Sequence, residues 1–212
     1  MKALVIGATG AVGKDLVQLL LEDDSFESVS VFVRRPVGFE HPKLTVHIVD
    51  FEHPGQWNHL LSGDVLFSCL GTTIKAAGSH GAQWKVDYNY QYEAADAARR
   101  NDVRTYALVS SVGADPKSKI FYTRMKGELE EAVKKIGFSG CFILRPPSLI
   151  RKDSNRFGEK AGVVMLKALN AVGLMRSWKP MPTEAVAAAM VRLVKSGRLG
   201  TETIVSQDIL KA

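Results

Sequence analysis

Short apolar runs alternate with amphipathic segments along the first 145 residues of the chain. Six runs rich in Val, Ile, Leu and Phe predict β-strands at residues 2–7, 28–34, 44–50, 64–70, 104–111 and 140–145. The spacing of apolar positions predicts helices over 11–22 and at about 56–61, 83–100 and 120–136. Strands that alternate with helices and are apolar on both faces are typical of parallel sheets covered on both sides. The pattern therefore predicts a doubly wound α/β fold.

The pattern changes after residue 145. Pro146 and Pro147 end the last of these strands, and a mostly apolar helical stretch follows over about 159–175. After a second proline-rich break, we expect Thr183 to cap a helix that runs to about residue 196, and a final strand at 201–206. No linker separates these parts. We therefore expect one domain over 1–212, in which 146–200 contribute a small C-terminal cap near the carboxyl ends of the strands, where such sheets bind ligands.

The composition is close to that of an average globular protein. The chain has 212 residues, of which 46% are hydrophobic and 24% are charged, and this is enough for one domain with an apolar core. Cys69 and Cys141 are too few for a disulfide framework and favour a reducing compartment. The first apolar run begins directly after Met1 and Lys2, without room for a signal peptide, and no apolar stretch reaches the roughly 18 residues of a membrane span. We therefore expect a cytoplasmic protein with no transmembrane segment.

The formal net charge of +6 is unevenly distributed. Residues 145–198 contain 11 Lys and Arg but 3 Asp and Glu, a local charge of +8. Such a region attracts an anionic substrate, a membrane surface or nucleic acid, or else it is a solvated face. No motif points to specific nucleic-acid binding, and the choice between a monomer and a homodimer stays open.

A glycine-rich segment lies between the first predicted strand and the first predicted helix. Here Gly7 allows a tight turn, Gly10 lets a pyrophosphate approach the backbone, and Gly13 lets the helix pack on the strand. The free N–H groups and the positive dipole end of the helix also favour a phosphate. This context predicts a Rossmann-type dinucleotide site at Gly7, Ala8, Thr9, Gly10, Ala11, Val12 and Gly13.

The end of the second strand selects between NAD and NADP in such a site. Arg34 and Arg35 stand there, without a carboxylate to accept hydrogen bonds from free ribose hydroxyls. Guanidinium groups suit a 2′-phosphate, so NADP(H) is the expected cofactor; the alternative is that the two arginines only solvate a strand end. Asp50, at the end of the third strand, is expected in reach of the adenine ring. The turn after the fourth strand is expected to flank the cofactor with Cys69, Leu70, Gly71 and Thr72.

Tyr122 and Lys126 lie four residues apart, and therefore on one face of a predicted helix. A lysine ammonium close to a phenol lowers the pKa of the phenol towards neutrality. The protonated phenol can then donate a proton to a carbonyl being reduced, and the ionised form can accept one from an alcohol being oxidised. Ser110 and Ser111 follow the fifth strand, where one hydroxyl would polarise the same carbonyl oxygen. Residues 111–113, Ser-Val-Gly, resemble in register the serine motif of the short-chain dehydrogenase/reductase superfamily, and this resemblance favours Ser111, with Ser110 as the second candidate. The expected catalytic set is therefore Ser111, Tyr122 and Lys126.

The motifs together resemble those of the short-chain dehydrogenase/reductase superfamily along nearly the whole chain. The matching residues are 7–13, 69–73, 86–87, 110–115, 122 with 126, and 144–147. In particular, the chain is similar to atypical members, the Tat-interacting-protein-like NAD(P)-binding oxidoreductases. The resemblance implies an NADP(H) site in which Lys126 also binds the nicotinamide ribose and the turn with Pro147 closes over the nicotinamide. Two departures affect a proton relay that asparagines support in the superfamily: Cys69 opens the turn where classical members have Asn-Asn-Ala-Gly, and Asp87 stands where extended members often have Asn.

The combined pattern predicts an NADPH-dependent oxidoreductase that reduces the carbonyl of a small molecule, with Tyr122 as the proton donor. The alternative is an NADP(H)-binding regulatory module with little or no turnover, which the basic region and the missing asparagines favour. Epimerisation of a nucleotide sugar is less favoured, because the expected cap is small for so large a substrate. Histidines recur every six residues, at His41, His47, His53 and His59. This spacing places them neither on one face of a helix nor on adjacent turns, so no metal site is expected.

Overall fold

A parallel β-sheet forms the centre of the fold. A computed structural model describes residues 1–150 and 179–212 of the chain. The strands within these residues are β1 Lys2–Ile6, β2 Ser28–Val33, β3 Leu44–Ile48, β4 Val65–Ser68, β5 Thr105–Val109, β6 Gly140–Arg145, β7 Leu149–Ile150, β8 Met181–Pro182 and β9 Gly200–Val205. Seven of these described strands pair in parallel, in the order β3-β2-β1-β4-β5-β6-β9, and β7 pairs with β8 separately.

Helices cover both faces of this sheet. They are α1 Ala11–Glu22, α2 Ile74–Ala77, α3 His80–Trp84, α4 Tyr90–Arg100, α5 Phe121–Lys135 and α6 Thr183–Lys195. Successive strand residues point to opposite faces, so Val5 lies in one hydrophobic core with α1 and α6, whereas Ile6 lies in a second core with α4 and α5. The predicted doubly wound α/β fold is confirmed.

The strand order places a crevice between β1 and β4. The chain runs outwards from β1 to β2 and β3 and then returns to pair β4 with the other side of β1. At such a reversal the loops that follow the two central strands separate, and open α/β sheets bind ligands in the resulting crevice. The glycine loop follows β1, and the turn with Cys69 follows β4.

Two of the predicted helices differ from the structure. The segment at 56–61 forms two short 3₁₀ turns, Pro54–Gln56 and Asn58–Leu60, because Pro54 and Gly55 favour a tight turn over a regular α-helix. The helix predicted at 83–100 begins three residues earlier, at α3, where the Ser79 hydroxyl caps it by accepting a hydrogen bond from the N–H of Ala82. Its middle contains a π-helical turn, Lys85–Asn89, that no local pattern predicted.

The C-terminal region is described in part. The helix predicted at 159–175 lies outside the described residues, so most of the cap expected over 146–200 stays a prediction. In the described part, β7 and β8 form a small separate ladder, whereas α6 packs on α1 and β9 extends the main sheet beside β6. Among the helices that the structure describes, none is long and apolar enough to cross a membrane.

Candidate cofactor and active site

The glycine loop after β1 forms a narrow cradle at the crevice. Gly7 has a φ of +79°, and a Cβ on it would collide with the backbone of Cys69. A Cβ on Gly13 would collide with the carbonyl group of Gly7. Gly10 is the N-cap of α1, donates its N–H to the Gly7 carbonyl at 2.9 Å and brings no side chain to the first turn. The loop therefore leaves the first N–H groups of α1 open to a phosphate.

The other loop residues divide between the core and the crevice. Ala8 and Val12 are buried, Ala11 begins α1, and Thr9 is exposed at the tip. The side chains of Ala8 and Val12 therefore pack in the core, and Thr9 is the loop residue that is exposed.

The turn after β4 forms the opposite wall of the crevice. The Cys69 Sγ lies 4.0 Å from the Sδ of Met190 on α6, and burial raises the pKa of the Cys69 thiol to about 12. Leu70 packs against the core with α4 and α5, and Gly71 is exposed. Cys69 thus stays a protonated thiol that packs against α6, and the turn faces the crevice mainly through its backbone.

Arg34 and Arg35 follow β2 and are exposed. Burial and a hydrogen bond to Glu52 raise the pKa of the Tyr90 phenol to about 12, against the opposing positive charge of nearby Arg34. Glu52 accepts that hydrogen bond at 2.6 Å, and its two carboxylate oxygens lie 3.0 Å from the Nζ of Lys85. A carboxylate therefore lies near the expected 2′-phosphate site, but Lys85 and Tyr90 already engage it.

Asp50 follows β3, which pairs with β2, the strand that Arg34 follows. Its Oδ2 lies 2.8 Å from the Nδ1 of His53, and its Oδ1 accepts the N–H of Glu52 at 2.9 Å. These hydrogen bonds, with that of His53 foremost, lower the pKa of Asp50. These contacts stabilise the charged form of the Asp50 carboxylate. Within 1–150 and 179–212, no group of three or more His, Cys, Asp or Glu residues is arranged to hold a metal ion.

Tyr122 and Lys126 lie on the first turns of α5, in different environments. Tyr122 is 36% exposed, whereas Lys126 is 2% exposed. The Lys126 Nζ lies 3.0 Å from the Oδ1 of Asp87, which is itself 1% exposed. Burial alone would lower the pKa of Lys126, but the charge of Asp87 and the phenol of Tyr122 raise it above its ordinary value. Lys126 is therefore a charged lysine near Tyr122, in a buried ion pair that the sequence did not predict.

Asp87 lies in the π-helical turn between α3 and α4. Its Oδ2 accepts the N–H of Thr72 at 2.8 Å. Its carbonyl oxygen accepts the Nε2 of Gln91 at 2.7 Å, and the Oε1 of Gln91 accepts the Ser68 hydroxyl at the same distance. Asp87 is thus connected to both β4 and the turn that follows it.

The two serines after β5 differ in their partners. The Ser110 hydroxyl is buried and donates to the carboxylate of Glu130 on α5, which also accepts the Nε of Arg145 at 2.9 Å. The Ser111 hydroxyl is half-buried, and the one hydrogen bond that the structure gives it is a long one, to the Val112 carbonyl oxygen at 3.3 Å. Ser110 is therefore committed to an internal network, and Ser111 is the serine with the weaker internal contact.

The loop that carries Ser111 contacts the first turn of α5. The Asp115 N–H donates to the Thr123 carbonyl oxygen at 3.0 Å, next to Tyr122 in the chain. The Val112 N–H donates to the Pro146 carbonyl oxygen at 3.0 Å, and Pro147 is buried after it. The ends of β5, β6 and α5 thus meet at one edge of the sheet.

Three contributors to this arrangement were absent from the predicted site. Glu130 carries a usable signal, since it lies four residues after Lys126 on the same helix face. Gly127 has a packing role, because a Cβ there would collide with the backbone of Asp115. Asp87 had no local signal beyond standing where an asparagine was expected, because its partner belongs to another helix.

The chain is similar in sequence to a known protein family and to named fungal proteins. Residues 7–196 match the model of a protein family described as NAD(P)H-binding. The chain is 30% identical over 204 residues to Protein FMP52, mitochondrial, of Candida albicans, which covers 93% of this chain and 89% of the relative. It is 32% identical over 213 residues to Protein FMP52-1, mitochondrial, of Scheffersomyces stipitis, with 97% and 93% covered.

Solved structures share the fold. The enzyme WbmH of Bordetella bronchiseptica in complex with NAD⁺ superposes with a TM-score of 0.72 at 16% identity, over 97% of this chain and 75% of that one. A short-chain dehydrogenase/reductase superfamily protein of Agrobacterium tumefaciens with bound NAD gives 0.72 at 15% identity, over 97% and 77%. At these identities the likeness concerns the fold.

The expected cytoplasmic location is wrong by the same comparisons. The relatives from Candida, Saccharomyces, Scheffersomyces and Emericella are all named as mitochondrial proteins. The expectation rested on two unpaired cysteines and on where the apolar run begins, and these features do not distinguish one reducing compartment from another.

Proposed function

This chain belongs to the NAD(P)H-binding family, and on that premise we propose that it is an NADPH-dependent oxidoreductase that reduces the carbonyl group of a small molecule. The resemblance to atypical short-chain dehydrogenase/reductases is confirmed by the family match and the shared fold. The observation that carries the proposed reaction is the position of Tyr122 beside the buried, charged Lys126.

The described residues fit a dinucleotide. A Cβ on Gly7 or Gly13 would collide with neighbouring backbone, so the loop packs closely, and Gly10 places no side chain over the first N–H groups of α1, as a bound phosphate requires. On this proposal Arg34 and Arg35 bind the 2′-phosphate, Lys126 binds the nicotinamide ribose, and the remaining contacts come from the loop, Asp50, the turn after β4 and the turn at Pro147. When bound, NADPH supplies the hydride that reduces the carbonyl carbon.

On this proposal, the side chains at the end of the sheet orient the carbonyl oxygen of the substrate and protonate it. Tyr122 donates its phenolic proton to that oxygen as negative charge develops on it. Ser111 donates a hydrogen bond to the same oxygen and orients it. Lys126 keeps its charge through Asp87 and stabilises the phenolate that remains after the proton has left.

A substrate screen tests this proposal. Aldehydes, ketones and quinones are incubated with NADPH and the purified protein, and the loss of nicotinamide absorbance is followed. We expect turnover above roughly 1 s⁻¹ for at least one compound, an ordinary enzymatic rate. The Tyr122→Phe variant should lose a factor of roughly 10² to 10⁴ in turnover and keep its NADPH affinity, because it lacks only the proton donor.

Tyr92→Phe is the matched control. Tyr92 stacks on Tyr88 with ring centroids 6.2 Å apart and takes no part in the proposed site, so the same loss of a hydroxyl should leave turnover unchanged. Full activity of the Tyr122→Phe variant would refute the mechanism.

A second candidate is an NADP(H)-binding regulatory module with little turnover. The observation that favours it is the local charge of +8 over residues 145–198, which suits an acidic partner. On this alternative NADPH binds with ordinary affinity, no compound of the screen is reduced, and Tyr122→Phe changes nothing that can be measured.

A further inference from the structure

Lys126 forms a buried ion pair with Asp87, and the roles given to Tyr122 and Lys126 in the proposed reaction do not by themselves require such a partner. Both side chains are almost fully removed from water, and their charged atoms lie 3.0 Å apart. A lysine buried without a counter-ion loses its charge, because desolvation disfavours the ammonium. Asp87 therefore determines whether Lys126 is a cation at all. It does so from a different helical segment, so the pair also joins two parts of the fold.

The carboxylate of Asp87 is held from both sides. Its second oxygen accepts the Thr72 N–H, and the carbonyl oxygen of Thr72 accepts the Nε2 of Gln83 at 3.0 Å. The turn that contains Thr72 begins at Cys69, whose backbone lies against Gly7. One carboxylate thus connects Lys126 to the wall of the cofactor crevice.

The backbone around Asp87 is adapted to this contact. Single π-helical turns are rare and occur frequently at functional sites. Here the turn is stabilised by the buried Gln91 amide, which donates to the Asp87 carbonyl oxygen and accepts the Ser68 hydroxyl. The turn therefore directs the Asp87 carboxylate towards Lys126 and Thr72 instead of leaving it on a regular helix face.

We propose that Asp87 is a positioning residue of the reaction assigned to Tyr122: it supplies the counter-ion of Lys126 and fixes this ammonium between Tyr122 and the turn after β4. The proposal rests on the proposed function, because it concerns the same proton donor. It goes beyond that function because a residue outside the set Ser111, Tyr122 and Lys126 then controls the charge of Lys126 and, through it, the protonation of Tyr122.

The charges around Lys126 give the direction of the effect. Among the described residues, those that act on it are Asp87 from the π-helical turn and Tyr122 and Glu130 from α5. Glu130 already has Arg145 of β6 as its partner. With Asp87 present, the Lys126–Asp87 pair is neutral overall, so the Tyr122 phenol does not face an uncompensated positive charge. Without the carboxylate, the ammonium acts alone and favours the phenolate, or it loses its own proton.

Neutralising Asp87 favours the loss of a proton from Tyr122 or from Lys126, and both losses lower the rate of reduction. Reduction needs a protonated Tyr122 and a charged Lys126, and the loss of either proton comes at lower pH when Asp87 is neutralised. In the Asp87→Asn variant, the alkaline limb of the pH profile for reduction should move to lower pH by about one unit. NADPH affinity should change less than about threefold, because the amide oxygen of Asn still accepts the Thr72 N–H. Asp87→Ala, which loses that bond as well, should weaken NADPH binding further.

Asp96→Asn is the matched control for this experiment. Asp96 lies on the neighbouring helix α4 and forms an exposed pair with Arg100 at 3.0 Å, so the same substitution should leave the pH profile in place. If the alkaline limbs of the Asp87→Asn variant and the wild type coincide while Tyr122→Phe abolishes turnover, the role of Asp87 is refuted and the proposed function stands. If Tyr122→Phe retains full turnover, the proposed function itself fails.

A measurement on the wild-type protein decides the matter if the Asp87→Asn variant does not fold. The ¹H–¹⁵N signal of the Lys126 ammonium, assigned with Lys126→Arg, should persist to higher pH than the signals of surface lysines. A Lys126 signal that disappears at or below the pH of the surface lysines would overturn the proposal, since it would show that no counter-ion holds the charge. This measurement needs neither substrate nor cofactor.

Discussion

Arg145 at the end of β6 donates hydrogen bonds from two nitrogens to the buried carboxylate of Glu130 on α5: its Nε lies 2.9 Å from Oε1, and its Nη2 lies 2.5 Å from Oε2. The same carboxylate accepts the Ser110 hydroxyl, so one acidic side chain joins the ends of β5, β6 and α5. Removing one partner of a buried pair leaves the other charge uncompensated, which costs about 3–5 kcal/mol in general. This pair therefore gives the edge of the sheet that carries Ser111 and Tyr122 a fixed geometry.

The two serines should respond differently to alanine. Ser111→Ala should lower turnover with NADPH affinity unchanged, because its hydroxyl is assigned to the substrate oxygen. Ser110→Ala should affect turnover much less but lower the free energy of unfolding by about 1.5–3 kcal/mol, the range for a hydrogen bond to a charged group. Steady-state kinetics and urea unfolding of both variants measure these effects. A larger loss of turnover in Ser110→Ala than in Ser111→Ala would reverse the assignment.

The arginines after β2 should select NADPH over NADH. Replacing Arg34 and Arg35 together by alanine should cost NADPH binding about 1.5–3 kcal/mol, because a charge-assisted contact to the 2′-phosphate is lost. NADH binding should change little. Calorimetric titration of both cofactors measures the difference.

The control for this experiment uses two other arginines. Arg100 and Arg104 are exposed, and Arg104 lies just before β5, at the opposite edge of the sheet. Replacing these two by alanine removes the same charge and should leave both affinities in place. Equal losses for NADPH and NADH in the Arg34/Arg35 variant would point to general electrostatics, and tighter binding of NADH by the wild type would contradict the expected preference.

The sequence predicted those parts of the fold that depend on local patterns. Helix α1 and strand β6 have the expected bounds, and α5 differs from expectation by one residue at each end. The segment at 56–61 was predicted wrongly because apolar spacing over six residues cannot distinguish an α-helix from successive 3₁₀ turns. The backbone roles of Gly7 and Gly13 were predictable from the position of the loop between β1 and α1, whereas the role given to Gly10 stays a prediction.

The candidate site was predictable only where its residues are close in sequence. Tyr122 and Lys126 lie one helical turn apart, so their proximity follows from the helix. The contact between Asp87 and Lys126 arises from the packing of two helical segments, and a π-helical turn is needed to make it. The sequence favoured Ser111 over Ser110, but the partner of the Ser110 hydroxyl, Glu130, lies on another element and was not predicted.

Both cysteines should be unreactive in the folded protein. Burial raises the pKa of Cys69 to about 12 and that of Cys141 to about 11, so very little thiolate exists at pH 8. Iodoacetamide at pH 8 should therefore leave both thiols unmodified over a period in which the urea-unfolded chain is alkylated completely. Mass spectrometry of tryptic peptides gives the extent at each site. Alkylation of native Cys69 at the rate of the unfolded chain would show that its thiol is not packed against Met190.

The pair between Asp23 and Lys195 should make stability depend on acid pH. The Asp23 Oδ2 lies 2.6 Å from the Lys195 Nζ, and this hydrogen bond, together with those from Ser25, lowers the pKa of Asp23 to about 2. Because the folded pKa is below the unfolded value of about 3.9, the stabilisation is present above about pH 4 and is lost as the pH falls towards 2. Asp23→Asn should cost about 1–2 kcal/mol in urea unfolding at pH 7, reduced by the partial exposure of Lys195, and nearly nothing at pH 2. Asp208→Asn is the control, because Asp208 forms an exposed ion pair with Lys211 at 3.7 Å. This substitution should change the free energy of unfolding little at either pH. A cost for Asp23→Asn that is equal at both pH values would mean that the substitution acts through packing and not through charge.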